Sequence, residues 1–140
     1  PHGQGGRCLG DAAAADAARW CQGRDDWAQH RCLALAVRER EGGALVGAMR
    51  FDAEWLSYLV APDRWREGWG REMVGACCRT LAPALGLCRI SAEVLRGNAA
   101  SQRILESLGF RFAGLSTRRW RGRGGAAAVL QYRLVVRQAP

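Results

Sequence analysis

The chain has 140 residues, of which 49% are hydrophobic and 24% charged, which is typical of one globular domain and too short for two. It has no apolar run of the roughly 18 residues that a membrane span needs, and its first residues lack the pattern of a signal peptide. The formal net charge of +8 favours anionic partners: nucleic acid, an acidic protein surface or a polyphosphate cofactor.

The elements predicted from hydrophobic patterning are a mixture of helices and strands. Residues 11–29 are rich in alanine and indicate a helix interrupted near Gly23. A helical period begins at Gly68, with a kink or end at Pro83, and a second helix runs from an N-cap at Asn98 to a C-cap at Gly109. Strands are predicted at residues 31–40, 44–53, 54–62, 89–95, 110–120 and 126–136. This order predicts an α+β fold around one largely antiparallel sheet.

The cysteines carry little chemical signal. Six cysteines and two histidines are present without a C-x-x-C pair, which disfavours a zinc site and, without a secretory signal, indicates a reduced, cytoplasmic protein. The adjacent Cys77 and Cys78 are expected to behave as small buried hydrophobes. Because the chain begins with Pro1 rather than Met, we interpret residues 1–10 as a flexible segment or a cloning remnant, and residues 11–140 as one domain.

Two glycines one residue apart, Gly68 and Gly70, lie between the third strand and the helix that follows it. Glycine lets the backbone approach a ligand closely, and the free N–H groups of a first helical turn can hold phosphate with the help of the helix dipole. The loop lacks the G-x-x-x-x-G-K-[ST] pattern of nucleoside triphosphatases, and no strand–helix–strand unit supports a dinucleotide fold. The residues alone leave two interpretations, a phosphate-binding loop or a plain turn.

Two segments carry a resemblance to a known family. In PDRWREGWGREMV (62–74), the matching positions are Pro62, Trp65, Gly68, Trp69 and Gly70, and Arg66 stands where a first glycine is usual. In RISAEVLRGNAASQRILESLGF (89–110), which RFAGL follows, the matching positions are Asn98, Ser101, Leu105, Glu106, Gly109 and Phe110. Over about residues 30 to 136 the chain resembles the GCN5-related N-acetyltransferases (GNAT). Within them it is most similar to the RimJ/RimL-like, ribosomal-protein-alanine branch.

The resemblance implies an enzyme that moves an acetyl group from acetyl-CoA directly to an amine, with no metal. The loop N–H groups of residues 66–71 would hold the pyrophosphate, and Arg64, Arg66 and Arg71 would add charge. The third strand would pair its backbone with the pantetheine arm, and it would splay from the strand at 89–95 to admit the thioester. The residues so implied for cofactor binding are Tyr58, Leu59, Val60, Arg66, Glu67, Gly68, Trp69, Gly70, Arg71 and Asn98.

The catalytic residues depart from the family pattern. Many relatives place a tyrosine at the position of Leu105 to protonate the leaving sulfur, so Ser101 is the expected substitute. A glutamate base is usual where this chain has Trp55, which leaves Glu54 as the expected base, although on a strand one residue of offset points it to the other face. Glu93 in the next strand and a water relay to a backbone carbonyl are the alternatives.

The acceptor is the least determined partner. Relatives usually open with a strand and a helix that shape its pocket, and here only about ten glycine-rich residues precede the alanine-rich segment. The resemblance leaves a protein N-terminal α-amine or a small-molecule amine as acceptor, with no membrane partner, and a homodimer is open.

Two other functions compete with catalysis. The missing tyrosine and glutamate fit a non-catalytic acyl-CoA-binding domain. The turn STRRWRGRGG (116–125) fits either a nucleic-acid-binding module, through arginine and tryptophan stacking on bases, or a plain solvated hairpin.

Overall fold

A computed structural model describes residues 31–119 and 125–136. In these ranges six strands form one sheet: β1 (Cys32–Arg38), β2 (Leu45–Asp52), β3 (Trp55–Val60), β4 (Arg89–Leu95), β5 (Arg111–Arg119) and β6 (Ala126–Val135). Their order is β1-β2-β3-β4-β6-β5, and among these strands β3 and β4 form the one parallel pair. The predicted α+β fold around a largely antiparallel sheet is confirmed. The predictions for residues 1–10 and 11–29 lie outside the described residues.

The helices follow the strands that they pack against. A short 3₁₀ turn (Pro62–Arg64) leads into α1 (Trp69–Ala76), which continues through a π-helical segment (Cys77–Leu81) into the single turn α2 (Ala82–Ala84). The predicted disturbance at Pro83 is present: the Ala82 N–H bonds the Cys77 carbonyl five residues back, a widened turn of the kind called a π-bulge. The last helix, α3 (Ala99–Ser107), follows β4 and precedes β5 in the chain.

One face of the sheet forms the core with α1 and α3. Because side chains alternate along a strand, Ile90, Ala92 and Val94 of β4 all point to this face and are buried. Leu105 of α3 packs in the same core and is fully buried. The position where relatives often carry a tyrosine is therefore a core position here.

The sheet opens between its two central strands. β3 pairs with β4 at two positions only, Trp55 with Ser91 and Leu56 with Ala92, whereas it pairs with β2 along its whole length. Beyond Leu56 the β3 edge that faces β4 has no strand partner among the described residues. The predicted splay is present, and it opens toward the loop after Val60 and the start of α3.

Candidate functional site

The backbone of the loop between β3 and α1 leaves a row of N–H groups without partners. Arg66 and Gly68 have positive φ angles of 66° and 88°, and Gly68 is the N-cap of α1 without a side-chain cap. The first helical donor is the Glu72 N–H, which bonds the Gly68 carbonyl at 3.1 Å. Within the described residues, no backbone carbonyl accepts from the N–H groups of residues 66–71. Such a row, at a helix N-terminus, suits an anion.

The two glycines of this loop differ in what surrounds them. A Cβ on Gly68 would meet nothing within 4 Å, so its requirement is the positive φ angle alone. A Cβ on Gly70 would lie 2.9 Å from Cδ1 of Ile104 and 3.9 Å from Cε2 of Tyr58. Gly70 thus faces the packed interior between α1, α3 and β3, and the expectation that both glycines allow close approach to a phosphate stays a prediction.

The loop side chains divide into bound and exposed groups. Arg64 bonds Glu39 of the β1–β2 connection, so it is not free for phosphate as expected. The Trp65 indole donates to the Val60 carbonyl at 2.8 Å, and the Trp69 indole donates to Glu67 at 2.9 Å. Arg66 and Arg71 are exposed. These last two are the arginines of the loop that suit an anionic ligand.

Asn98 joins the end of β4 to α3 and holds an unpartnered donor. It is the N-cap of α3, as predicted, and its Oδ1 accepts from the Ser101 N–H at 3.2 Å. Asn98 is 8% exposed, and its Nδ2 has no hydrogen-bond partner among the residues that the structure describes. A buried amide donor left unpaired costs about 1–3 kcal/mol. This one would be satisfied by an acceptor atom of a ligand.

Tyr58 and Ser101 meet across the opening of the sheet. Tyr58 lies on β3 two residues beyond the last position paired with β4, and its hydroxyl is 2.5 Å from Oγ of Ser101. Burial raises the pKa of Tyr58 to about 12, although the hydrogen bond with Ser101 acts in the opposite direction. Sequence reasoning assigned Tyr58 a backbone role only and missed its hydroxyl. Strand alternation places the ring on the core face, and tertiary packing alone supplies its partner.

Glu54 lies at the wrong end of β3 for the expected role as base. Arg89 donates to both of its carboxylate oxygens, at 2.9 and 3.0 Å, and the Ser91 hydroxyl donates as well. The hydrogen bonds from Arg89 and then Ser91 lower the pKa of Glu54. A base for an amine proton needs a raised rather than a lowered pKa. The geometry favours a different role, in which Glu54 ties the start of β3 to β4.

Glu93 lies at the other end of the β3–β4 pairing. It follows Ala92, the last β4 residue that pairs with β3, so it stands where the opening begins. Arg118 of β5 donates to both of its oxygens at 2.7 and 2.9 Å, and Gln131 of β6 donates at 3.2 Å. Its side chain is 17% exposed. Of the two glutamates considered from the sequence, Glu93 is the one that the fold brings to the opening.

The comparison with protein families decides the identity of the domain. Residues 6–111 match the family model described as the acetyltransferase (GNAT) domain. The chain belongs to the GNAT acetyltransferase family. GNAT acetyltransferases use acetyl-CoA, and the resemblance noted in the two sequence segments is confirmed at the level of the family.

Individual relatives agree with this assignment. An uncharacterized N-acetyltransferase from Bacillus subtilis, YoaA, is 30% identical over 94 residues, which cover 62% of this chain and 53% of that protein. A spermidine N-acetyltransferase from Vibrio cholerae, solved with CoA and spermine, has a TM-score of 0.67 at 16% identity, over 75% of this chain and 66% of the other. A ribosomal-protein-S5-alanine acetyltransferase from Vibrio fischeri has a TM-score of 0.68 at 17% identity, over 75% and 62%. The GNAT chain spans about half the length of its curated relative.

The residues around the opening fit the donor that GNAT enzymes use. The unpaired N–H row suits a pyrophosphate, and the free edge of β3 beyond Leu56 suits the amide groups of a pantetheine arm. The unpartnered Nδ2 of Asn98 suits a carbonyl oxygen of the same arm.

Two further features of the described residues bear on the other expectations. No group of three or more His, Cys, Asp and Glu side chains in the described part of the chain is placed to hold a metal ion. None of the helices described is long and apolar enough to cross a membrane. Cys77 is buried, as expected, and Cys78 is half-buried; burial raises the pKa of Cys77 to about 12 and that of Cys78 to about 11.

Proposed function

We propose that this chain transfers the acetyl group of acetyl-CoA directly to an amine, either a protein N-terminal α-amine or a small-molecule amine. The observation that carries the proposal is the opening between β3 and β4, where pairing stops after Leu56 and Ala92. Unpaired N–H groups border it on one side, and the unpartnered Asn98 amide borders it on the other. Acetyl-CoA supplies the activated acyl group as a thioester.

Each expected binding residue then has a stated part. The N–H groups of residues 66–71 bind the pyrophosphate, with Arg66 and Arg71 adding full charges. The backbone of Tyr58, Leu59 and Val60 binds the pantetheine arm along the free edge of β3. Asn98 orients that arm through its Nδ2. These assignments are supported by the free donors in the loop and at Asn98.

The chemistry requires a hydrogen-bond donor for the leaving sulfur and an acceptor for the amine proton. Ser101, buried in the first turn of α3, remains the proposed donor. For the base, we favour Glu93 over Glu54, because Glu93 follows the last β4 residue that pairs with β3, where the opening begins, while Glu54 precedes that pairing. A water between Glu93 and the amine would complete the path.

For the acceptor, we favour a protein N-terminal α-amine of the RimJ/RimL-like kind. The two sequence segments that match that branch support this choice. A cytoplasmic location and a homodimer stay predictions from the sequence.

The proposal is tested by incubating the full chain with acetyl-CoA and three acceptor groups: peptides with free N-termini, polyamines and aminoglycosides. Product is detected by mass spectrometry and released CoA by chromatography, because the chain has free cysteines that react with thiol reagents. We expect acetylated peptide and one equivalent of CoA.

Two other results would contradict catalysis. Tight acetyl-CoA binding without product from any acceptor would establish the non-catalytic acyl-CoA-binding domain. Sequence-selective nucleic-acid binding at about 150 mM salt without acetyl-CoA binding would establish the nucleic-acid module, since unspecific phosphate contacts weaken steeply with salt. Arg118 is already paired with Glu93, which speaks against its serving as a phosphate contact.

A further inference from the structure

The contact between Tyr58 and Ser101 joins β3 to α3 across the opening of the sheet. Tyr58 comes from β3, Ser101 comes from α3, and the two are 43 positions apart in sequence. Ser101 is 6% exposed, and its own N–H is already bonded to Asn98. The Ser101 hydroxyl has a hydrogen bond of its own with the Tyr58 hydroxyl, at 2.5 Å.

Counting donors shows what the pair can offer to a ligand. A serine hydroxyl and a tyrosine hydroxyl each carry one hydrogen and can each accept as well. Either oxygen can be the donor of the bond between them, and that bond uses one hydrogen. Whichever way it runs, one O–H remains for a third atom. A lone serine could rotate its hydrogen freely, whereas the paired one is restricted.

We propose that Tyr58 is a positioning residue for Ser101, and that the pair holds one O–H toward the sulfur of the acetyl donor. This inference rests on the proposed function, because it assigns the donor side of the same site. In this arrangement the phenol O–H of Tyr58 donates to Ser101 Oγ, and the Ser101 O–H takes the part that the family's helical tyrosine, replaced here by the buried Leu105, leaves open. Ser101 touches the sulfur, and Tyr58 acts through Ser101.

The surroundings hold the Tyr58 ring in place. Gly70 of α1 lies against it, since a Cβ there would come within 3.9 Å of Tyr58 Cε2. Tyr58 and Ile104 pack against the core cluster from β3 and α3. A fixed ring keeps the phenol oxygen at Ser101, which is the geometric requirement for preorganised stabilisation of developing charge.

The pair stabilises charge rather than giving up a proton. Transfer forms a C–N bond and breaks the C–S bond; the amine nitrogen loses one proton through a water to Glu93, and the sulfur gains one from water. Because the pKa of Tyr58 is raised to about 12, the phenol keeps its proton throughout the neutral range. The remaining O–H donates a hydrogen bond to the thiolate until water protonates it.

The test is the affinity for CoA compared with desulfo-CoA, which lacks the sulfur, measured by titration calorimetry between pH 7 and 9. The wild-type chain is expected to bind CoA more tightly than desulfo-CoA. The ratio of the two affinities should increase as the CoA thiol ionises with rising pH. Tyr58→Phe and Ser101→Ala should each reduce this preference about tenfold at the alkaline end, since a hydrogen bond to a charged group is strong. Desulfo-CoA affinity should stay unchanged in both variants.

Matched variants separate positioning from packing. Tyr132→Phe removes the other described tyrosine hydroxyl, which donates to Glu106, and Ser107→Ala removes a serine hydroxyl later on α3 that donates to the Ile104 carbonyl. Neither should change the preference for CoA. The double variant Tyr58→Phe/Ser101→Ala should lose no more than Ser101→Ala alone, because Tyr58 acts only through the Ser101 O–H. Ser101→Thr keeps a hydroxyl and should retain most of the preference.

The outcomes are distinct. An unchanged CoA preference in folded Tyr58→Phe, or additive losses in the double variant, would overturn the inference even if the enzyme is active. Failure of the proposed function would give a different result. No acceptor would be acetylated, yet the wild-type chain would still bind CoA more tightly than desulfo-CoA, and Tyr58→Phe and Ser101→Ala would still reduce that difference.

Discussion

Gly70 of α1 faces Ile104 of α3, so closely that a Cβ on the glycine would lie 2.9 Å from Ile104 Cδ1. Val60 and Tyr58 of β3 lie next to the same point, at 3.7 and 3.9 Å. Three elements of the site thus converge where Gly70 has no side chain. Packing therefore limits the size of the side chain at Gly70, whereas at Gly68, two positions earlier, no neighbour lies within 4 Å.

We expect Gly70→Val to destabilise the fold by about 1–3 kcal/mol, because a branched side chain overpacks this contact. Gly70→Ala should be close to neutral, because the terminal methyl of Ile104 can rotate away and alanine favours a helix by about 1 kcal/mol. Urea unfolding of both variants measures the difference. A Gly70→Val chain as stable as the wild type would contradict the packing role.

At Gly68 the expected effect is on ligand binding through backbone conformation. Gly68→Ala meets no steric neighbour, but it must adopt a φ angle of 88°, which costs an L-residue roughly 1–2 kcal/mol. The strain should reshape the N–H row and weaken acetyl-CoA binding about tenfold. Gly68→Asn is the control, because asparagine tolerates the left-handed region better. Equal loss of acetyl-CoA affinity in Gly68→Ala and Gly68→Asn would indicate that the added side chain, and not the backbone φ angle, weakens binding.

The two arginine-bound glutamates make a matched pair for identifying the base. Glu93→Gln is expected to lower kcat by about 10²-fold or more, as is typical when a general base is removed. Glu54→Gln should leave kcat within a few-fold of wild type. Each substitution keeps the shape of the side chain and loses the charge opposite an arginine. The reverse order of effects would restore Glu54 as the base and exclude the assignment to Glu93.

Glu54 is expected instead to contribute to stability in a pH-dependent way. Arg89 and then Ser91 lower the pKa of Glu54 from the ordinary value of a glutamate, so the folded state favours the carboxylate. That stabilisation is present above the pKa of the unfolded chain and is lost as the pH falls through the lower, folded-state pKa. The midpoint of thermal unfolding should be higher for the wild type than for Glu54→Gln at pH 7, and the two midpoints should converge toward pH 3. A difference that stays constant with pH would contradict the linkage.

The strands and the late helix could be predicted because their signals are local. The alternation in β4 and the Asn98 and Gly109 positions around α3 depend on side chains within a few residues of one another. The predicted strand at 89–95 coincides with Arg89–Leu95, and the helix predicted from Asn98 corresponds to Ala99–Ser107. The turn into α1 was predictable for the same reason, since Gly68 and the helix start are adjacent in the chain; phosphate binding there stays a prediction.

The partners of the site residues could not be predicted, because each is set by contacts distant in sequence. Arg64 was expected to face a phosphate and instead bonds Glu39. Glu54 was the expected base and Glu93 the alternative, but the two-position pairing of β3 with β4 leaves Glu54 before the pairing and Glu93 after it, where the opening begins. Strand pairing of this kind depends on the whole sheet and not on the pattern of either strand.

The sequence by itself determined the family, the order of the elements and the loop that suits a pyrophosphate, since these follow from motifs and periodicities within short segments. The tertiary structure decided which glycine serves the backbone and which serves packing, which glutamate stands at the opening, and that the Tyr58 hydroxyl meets Ser101. Those distinctions depend on how β3, α1 and α3 pack together, and packing brings together residues that local spacing leaves unrelated.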